Sequence, residues 1–252
     1  CHSRNPEQPF AGGVEFATKF GTIYSTNITP DPGTGIGAWP LGAFSRALRQ
    51  GVARDGSQLF PVFPFDHFTK VSDGDVRALY AFFMTRQPVA RPPERNTLPF
   101  PLNVRALQAG WKLLFFHAGE YRPNAAKSAA WNRGAYLAES LAHCSSCHTP
   151  RNALGAESAA AAYAGAVIEG WYAPALNAAN PAPLPWTAEE LYAYLRTGGT
   201  ALHGSAAGSM SDVVHHGLAA LPDADVLAIA TYFADLNESA KFAGDPQGIV
   251  AK

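Results

Sequence analysis

The stretch Cys144-Ser145-Ser146-Cys147-His148 constrains the fold of this chain more than any other part of the sequence. Two thiols three positions apart on one helical turn can each add to a vinyl group of haem, and the next histidine can then bind the iron. The pattern C-x-x-C-H is typical of covalent attachment of c-type haem. A zinc site would require a second Cys/His pair, and a redox-active dithiol would be expected in a βαβ unit. The sequence shows neither feature. We therefore predict a haem attached to Cys144 and Cys147, with His148 as the proximal iron ligand.

The first two residues, Cys1 and His2, match the end of the same motif. They are what remains of C-x-x-C-H when a chain is cut just before the second cysteine, and they follow no initiator methionine or signal peptide. We therefore expect the sequence to belong to a longer polypeptide, or to lack its first residues. Cys1 is predicted to bind a first haem, with His2 as its proximal ligand.

An internal repeat supports this interpretation of the first residues, because features of the first half return in the second half 146 to 150 residues later. The matched pairs are Cys1 with Cys147, Trp39 with Trp186, residues 44–51 with 191–198, and residues 72–83 with 222–233. Two copies of one module of haem-binding size account for most of the 252 residues. The length suits two domains of ordinary size.

Composition narrows the classes of function. The chain has 19 basic and 20 acidic residues, so nothing indicates a nucleic-acid partner. All three cysteines belong to the two haem motifs, which leaves none for a structural disulfide. No apolar run approaches the length that crosses a bilayer. Because haem is attached covalently outside the cytoplasm in bacteria, we expect an exported protein.

The hydrophobic pattern predicts short helices separated by long loops rich in glycine and proline. Each repeat closes with a helix, which we expect Ser72 and Asp223 to cap at its N-terminus. The helix in the middle of each repeat is expected to end at a glycine, Gly51 or Gly198. Loops this long are unusual in a small domain. A haem explains them, since the porphyrin forms much of the core and the loops wrap it.

Several longer strings identify a family. They are TIYSTNITP at residues 22–30, TGIGAW at 34–39, WNRGAY at 131–136, HCSSCHTPRNALG at 143–155 and GWYAPAL at 170–176. Together they resemble the multihaem cytochrome c subunits of periplasmic bacterial dehydrogenases. That group serves quinoprotein alcohol dehydrogenases, flavoprotein sugar-acid dehydrogenases, and molybdenum hydroxylases that act on aldehydes or N-heterocycles. The resemblance covers essentially the whole chain.

The resemblance implies an all-α fold of two tandem class I cytochrome c-like domains, with long Gly/Pro-rich loops that wrap covalent haems. The predicted domains are residues 1–90 and residues 124–252. Residues 91–123, between them, are predicted to form a proline-rich linker and a connecting helix. Members of the family usually carry three haems c and often a C-terminal membrane anchor. A third haem and an anchor would therefore lie outside these residues or be missing.

The resemblance also implies a function: electron transfer with no substrate chemistry of its own. Electrons would come from a catalytic dehydrogenase subunit and leave toward a quinone or cytochrome acceptor of the respiratory chain. The place of action would be the periplasmic side of the cytoplasmic membrane. In the first repeat the string Pro61-Val62-Phe63-Pro64 stands where related subunits usually have Pro-x-Met-Pro. With the following Phe65-Asp66-His67-Phe68, this form resembles subunits paired with molybdenum hydroxylases, so that partner is favoured over a quinoprotein or flavoprotein.

Met210 is the predicted sixth ligand of the second haem. It lies in a loop before the last helix, where class I cytochromes place a distal methionine. Methionine also fills gaps in protein cores, but this chain contains only two methionines. We therefore predict His148 and Met210 as the axial ligands of the second haem.

The first haem needs a different sixth ligand, because the repeat offset of 147 maps Met210 onto Phe63. Phenylalanine cannot bind iron. His67, four positions later, is the favoured substitute, Met84 on the closing helix is a second candidate, and an open or water-bound iron is a third. Two imidazoles lower the potential and a thioether raises it. The first haem, with His2 and His67, is therefore expected to have the lower potential and to pass electrons to the second.

A further set of residues is predicted to contact the haems. Arg151 is a candidate partner of a haem propionate, because arginine can give two hydrogen bonds to one carboxylate; a solvated arginine is the alternative. The indoles of Trp39 and Trp186 are candidates for the same role, with core packing as the alternative. The residues predicted to line haem edges are Tyr24, Asn27, Trp171 and Pro174.

A different class of function stays open at this point. A haem without a sixth ligand in the first repeat would suit a dihaem peroxidase or a redox- or gas-sensing module. A peroxidase needs a polar distal pocket, which Phe63 between two prolines does not resemble. A sensor would usually carry a signalling domain, and the sequence shows none.

Overall fold

The computed structural model describes residues 1–238 of the chain. They form two compact units, the first from Cys1 to Tyr121 and the second from Arg122 onward. Both units are mostly short helices and long loops, as the sequence pattern predicts. Three two-stranded antiparallel hairpins, which the sequence pattern did not indicate, complete the described part.

The first unit is built around its two longest helices. Its elements are β1 (Glu15–Thr18), β2 (Gly21–Tyr24), α1 (Leu41–Gln50), α2 (Phe65–Phe68), α3 (Asp73–Met84) and α4 (Leu107–Phe115). Helix α1 buries Ala43, Phe44 and Ala47, which are spaced so that they share one face. It ends as predicted at Gly51, whose φ of 60° is a left-handed conformation that glycine adopts without strain.

Helix α4 packs on the first unit through Trp111 and Lys112, although none of its residues is fully buried. The indole of Trp111 meets the fully buried ring of Phe65 edge to face, with centroids 6.2 Å apart. Lys112 donates hydrogen bonds to the carbonyls of Gln50 and Gly51 at 2.5 and 2.7 Å. The Gln50 carbonyl is the last of α1 and has no partner within that helix, so the Lys112 ammonium satisfies it and interacts favourably with the helix dipole. The Gly51 carbonyl also accepts the N–H of Leu59 at 2.8 Å.

The second unit is organised by a close helix crossing. Its elements are α5 (Ala129–Glu139), α6 (Ser145–His148), β3 (Ala166–Ile168), β4 (Trp171–Ala173), α7 (Ala188–Thr197), β5 (Gly199–Thr200), β6 (Gly204–Ser205), α8 (Ser209–Asp212) and α9 (Asp223–Leu236); single turns of 3₁₀ or π-helix span Ala159–Ala161, Val213–Gly217 and Leu218–Ala220. Helices α5 and α9 approach each other closely at Gly134, where a Cβ atom would lie 1.9 Å from the carbonyl oxygen of Ala228. Only glycine allows the two backbones to come so near.

The helix ends test the predicted caps. The Ser72 hydroxyl accepts the backbone N–H of Asp75, which confirms the cap of α3, and Gly198 ends α7 with a φ of 82°, also as predicted. The predicted cap of α9 is wrong. The residue before the helix is Pro222, whose side chain has no atom that can accept a hydrogen bond, and Asp223 is the first helical residue. There its carboxylate binds the Arg196 guanidinium, with Nε 2.9 Å from Oδ1.

The same arginine contact recurs in the first unit. Arg49, near the end of α1, donates to Asp73 at the start of α3 at 2.6 Å and also to the Val71 carbonyl. Arg196, near the end of α7, donates to Asp223 and, at 2.8 Å, to the Leu221 carbonyl. The offsets between these pairs are those of the sequence repeat. Each unit thus ties its middle helix to its closing helix in the same way.

The longest described helix, α9, has 14 residues. A helix needs about 20 apolar residues to cross the hydrocarbon core of a bilayer. Within residues 1–238, no helix meets the length and hydropathy that a membrane span requires.

Candidate haem sites

The second unit carries the complete C-x-x-C-H motif on a single helical turn. Cys144 is the residue before α6 and Cys147 lies within it; both are half-buried and neither forms a disulfide. The turn is closed by the backbone, since the N–H groups of Cys147 and His148 donate to the Cys144 carbonyl at 3.3 and 3.2 Å. The two thiols and the imidazole are therefore held on one short, hydrogen-bonded segment.

His148 is buried and its ring is oriented by a backbone carbonyl. Its Nδ1 lies 2.7 Å from the carbonyl oxygen of Pro174. A carbonyl only accepts, so Nδ1 carries the proton and Nε2 keeps its lone pair. The His148 carbonyl in turn accepts the N–H of Gly165 at 2.8 Å. This arrangement is typical of a metal-binding histidine, whose second nitrogen donates to a carbonyl that fixes its tautomer.

His2 in the first unit has the same two contacts. Its Nδ1 lies 2.7 Å from the carbonyl oxygen of Thr26, and its own carbonyl accepts the N–H of Gly12 at 2.8 Å. The Nε2 atom of each histidine has no hydrogen-bond partner within residues 1–238. The structure therefore gives His2 the same tautomer and a free Nε2, as the predicted role of proximal ligand requires.

Burial sets the charge of these groups. It lowers the pKa of His148 and of His2 below the usual value for histidine, so both imidazoles are neutral at neutral pH. It raises the pKa of Cys144 to about 12 and also raises the pKa of Cys147. Both thiols are therefore protonated at neutral pH, unlike the activated thiolate of a redox site. Neutral thiols beside an imidazole with a free Nε2 fit a haem held by thioether bonds and one histidine.

Met210 is the second residue of α8 and is half-buried. It follows Gly208, which has a φ of 54°, and Ser209, which begins the helix. Its assignment as sixth ligand stays a prediction.

The corresponding part of the first unit is closed by aromatic rings. The ring of Phe63 packs against Phe68 with centroids 5.4 Å apart. His67 lies in α2 and is only 6 % exposed, whereas Met84 is the last residue of α3 and is half-buried. A buried histidine close to Phe63 keeps His67 the favoured candidate. Its ligation of iron stays a prediction.

Asn27 has a structural role that the sequence alone did not indicate. Its side chain is buried, and its Oδ1 accepts both the N–H and the hydroxyl of Thr29 at 2.9 and 2.7 Å. Its Nδ2 donates to the Val89 carbonyl at 2.7 Å. The amide therefore fixes the loop that follows β2. Contact of Asn27 with a haem edge stays a prediction, as it does for Tyr24 at the end of β2.

The two matched tryptophans lie before the middle helices, as the repeat predicts. The Trp186 ring stacks on the His203 imidazole with centroids 3.7 Å apart, and the Trp39 carbonyl accepts the hydroxyl of Tyr80 at 2.7 Å. In the described part of the chain, neither indole N–H has a hydrogen-bond partner. Both groups are thus available to a propionate, and that role stays a prediction.

Arg151 braces the loop after the haem motif. It donates to the carbonyls of Gly155 and Ser146 at 2.9 and 3.1 Å and forms an ion pair with Glu157 at 3.4 Å. The predicted contact with a propionate therefore competes with contacts that the arginine already makes. Trp171 opens β4 and is about half exposed.

The carbonyls that orient the two histidines were not recognised from the sequence as such. The sequence predicts Pro174 only as a residue at a haem edge, and it predicts no role for Thr26. A backbone carbonyl leaves no trace in residue type. In the structure each carbonyl comes shortly after a hairpin, β1–β2 before Thr26 and β3–β4 before Pro174.

Comparisons with known proteins show which chains are similar. No family model matches the sequence. The chain is 48 % identical over 252 residues to a subunit of the nicotinate dehydrogenase of Pseudomonas putida, covering all of this chain and 21 % of that protein. It is 44 % identical over 236 residues to the fructose dehydrogenase cytochrome subunit of Gluconobacter japonicus, covering 92 % of this chain and 48 % of that protein.

A third relative is covered over most of its own length. The chain is 39 % identical over 227 residues to a dihaem c-type cytochrome of Cereibacter sphaeroides, covering 88 % of this chain and 74 % of that protein. By contrast, the chain spans about a fifth of the nicotinate dehydrogenase subunit and about half of the fructose dehydrogenase subunit.

Proposed function

Because this chain belongs to the family of c-type cytochromes that includes the cytochrome subunits of bacterial dehydrogenases, we propose that it is a periplasmic electron-transfer subunit with two haems c. The observation that carries the proposal is the matched pair of histidines. His2 and His148 each directly follow a cysteine. Each donates its Nδ1–H to a backbone carbonyl at 2.7 Å and keeps Nε2 free of hydrogen bonds. When bound, haem supplies a reversible one-electron couple.

The proposed ligands follow the sequence repeat. In the second unit the chain holds haem through Cys144 and Cys147, with His148 and Met210 toward the iron. In the first unit the attachment includes Cys1, with His2 and His67 toward the iron. The two units are then tandem class I cytochrome c domains, each closed by the arginine contact between its middle and last helices.

Different ligands set a direction for electron flow. A methionine thioether stabilises ferrous iron and raises the potential, whereas a second histidine lowers it. The first unit is therefore the lower-potential centre. We propose that it takes electrons from the dehydrogenase and that the second unit passes them toward a quinone or cytochrome of the respiratory chain.

The proposed partner is a molybdenum hydroxylase that oxidises an N-heterocycle or an aldehyde. The support is the 48 % identity to a nicotinate dehydrogenase subunit, together with a low-potential first centre that suits a low-potential donor. Other relatives are cytochrome subunits of fructose, gluconate and alcohol dehydrogenases, so a flavoprotein or quinoprotein partner is the competing proposal.

A peroxidase or sensor is not favoured. None of the relatives named above is described as either. The ring of Phe63, packed on Phe68, gives the first unit no polar group at the position that matches Met210.

A redox and ligand-binding experiment tests the proposed function. Wild-type protein is expected to show two one-electron steps in a potentiometric titration, only low-spin haem when oxidised, and no binding of carbon monoxide. In His67→Ala one haem should become high-spin and bind carbon monoxide, because its iron loses a ligand, while the Met210-bound haem is unchanged. His67→Met should raise the lower of the two potentials.

His117→Ala is the matched control, since it removes another histidine of the first unit. It should leave the spectrum and both potentials unchanged. Carbon monoxide binding by the wild-type protein would favour a peroxidase or sensor instead, and an unchanged spectrum in His67→Ala would exclude His67 as the ligand.

A further inference from the structure

The turn between β3 and β4 holds a residue in a costly conformation. Glu169 has a φ of 50° and Gly170 a φ of 81°, so both central residues of the turn are left-handed. Such turns prefer Asn-Gly or Gly-Gly, and a non-glycine residue in this region is uncommon. An unfavourable residue is retained only where the surrounding structure fixes it, and such residues cluster at functional sites.

A contact of the Glu169 side chain holds this residue in place. Its carboxylate accepts a hydrogen bond from the hydroxyl of Ser209, the first residue of α8 and the neighbour of Met210. The strained turn therefore reaches the segment that carries the proposed methionine ligand.

The residue before Ser209 meets the same hairpin. Gly208 has a φ of 54° and a ψ of −142°, and a Cβ atom there would lie 2.6 Å from the indole nitrogen of Trp171. Glycine is thus needed both for the backbone conformation and for the close approach of the indole. Two successive residues, Gly208 and Ser209, fasten the Met210 segment to the ends of one turn.

The first unit lacks every part of this arrangement. At the repeat offset of 147, Gly208, Ser209 and Met210 correspond to Pro61-Val62-Phe63, which offers neither the glycine, the hydroxyl nor the thioether. The turn between β1 and β2 contains Lys19 and Phe20, and neither has a positive φ. The contacts of Gly208 and Ser209 with the hairpin occur in the unit that has Met210. Both these contacts and the methionine are absent from the first unit.

We propose that Glu169 and Trp171 are positioning residues that hold Met210 for iron through Ser209 and Gly208. We refer to these four residues as the methionine latch. The inference rests on the proposed ligation of haem by Met210. A thioether is a weak ligand, so a segment that is already ordered loses less freedom on binding iron and competes better with other ligands.

Competition with added imidazole measures the latch in the oxidised full-length protein. Imidazole displaces the thioether, and the displacement is followed as loss of the far-red band of sulfur-to-iron charge transfer. Ser209→Ala and Glu169→Ala should each bind imidazole about fivefold more tightly, the factor that one hydrogen bond of ordinary net strength represents. Ser209→Thr keeps the hydroxyl and should restore the wild-type affinity.

Two features of the design separate the latch from other effects. Ser209→Ala leaves the Glu169 charge in place, so a change in affinity is not a simple charge effect. Ser211→Ala, on the other side of Met210, removes a hydroxyl that has no side-chain hydrogen bond in the described structure, and it should behave as wild type.

The outcomes distinguish this inference from the function on which it rests. If Met210→Ala abolishes the far-red band while Ser209→Ala and Glu169→Ala bind imidazole within twofold of wild type, the latch is wrong and the ligand assignment stands. If Met210→Ala leaves the band in place, both the ligand assignment and the latch are wrong.

Discussion

Met210→Ala is expected to abolish the far-red sulfur-to-iron band of the oxidised protein and to lower the potential of the second haem by ~0.1 V or more, within the ~0.8 V that axial ligands span. Alanine has no atom that can bind iron, so the stabilisation of ferrous iron by the thioether is lost. Covalent attachment through Cys144 and Cys147 should remain. The measurement is a spectroelectrochemical titration of wild type and variant.

The chain offers a matched control, because Met84 is its only other methionine. Met84→Leu should keep the far-red band and both potentials. If Met84→Leu removes the band instead, the thioether ligand is in the first unit, and the proposed order of potentials is reversed. If both variants keep the band, neither methionine is its source and the assignment of Met210 fails.

Gly134→Ala is expected to destabilise the second unit by roughly 3 kcal/mol or more, at the upper end of what overpacking costs. The added Cβ would lie 1.9 Å from the Ala228 carbonyl oxygen, which belongs to the backbone of α9 and cannot rotate away. Helices α5 and α9 must therefore separate, which exposes apolar residues such as Ile229 and Phe233 that are now buried. Urea unfolding followed by circular dichroism measures the loss.

The control is the same substitution in an open position. Gly110 lies inside α4, and a Cβ there meets nothing within 4 Å. Gly110→Ala should leave stability unchanged or increase it by up to ~1 kcal/mol, because alanine favours a helix over glycine. Equal unfolding midpoints for Gly134→Ala and Gly110→Ala would show that the close crossing of α5 and α9 is not a constraint.

The sequence predicted the helices that carry strong local signals. Helices α1 and α7 end at the expected glycines, and the Ser72 cap of α3 is present, because these features depend on neighbouring residues. Neighbouring residues alone could not show whether Asp223 caps α9 or is its first helical residue. An aspartate is favourable both as a cap and in the first turn, and the contact with Arg196, 27 residues away, decides between the two.

Other features depend on contacts that a sequence pattern does not contain. The hairpin strands have only two to four residues, which is too short for an alternating hydrophobic pattern to be recognised in the sequence. The carbonyls of Thr26 and Pro174 orient the two histidines through backbone atoms, which every residue type possesses. The hydrogen bond between Glu169 and Ser209 joins residues 40 positions apart. Only the folded chain brings such groups together.

The central claim is that this polypeptide binds two haems covalently, one in each unit. The most direct measurement is mass spectrometry of the full-length protein after denaturation and digestion. Two haems are expected per copy of residues 1–252, one on a peptide that contains Cys144 and Cys147 and one on a peptide that contains Cys1. A single haem adduct, or haem that is released by denaturation, would contradict the account.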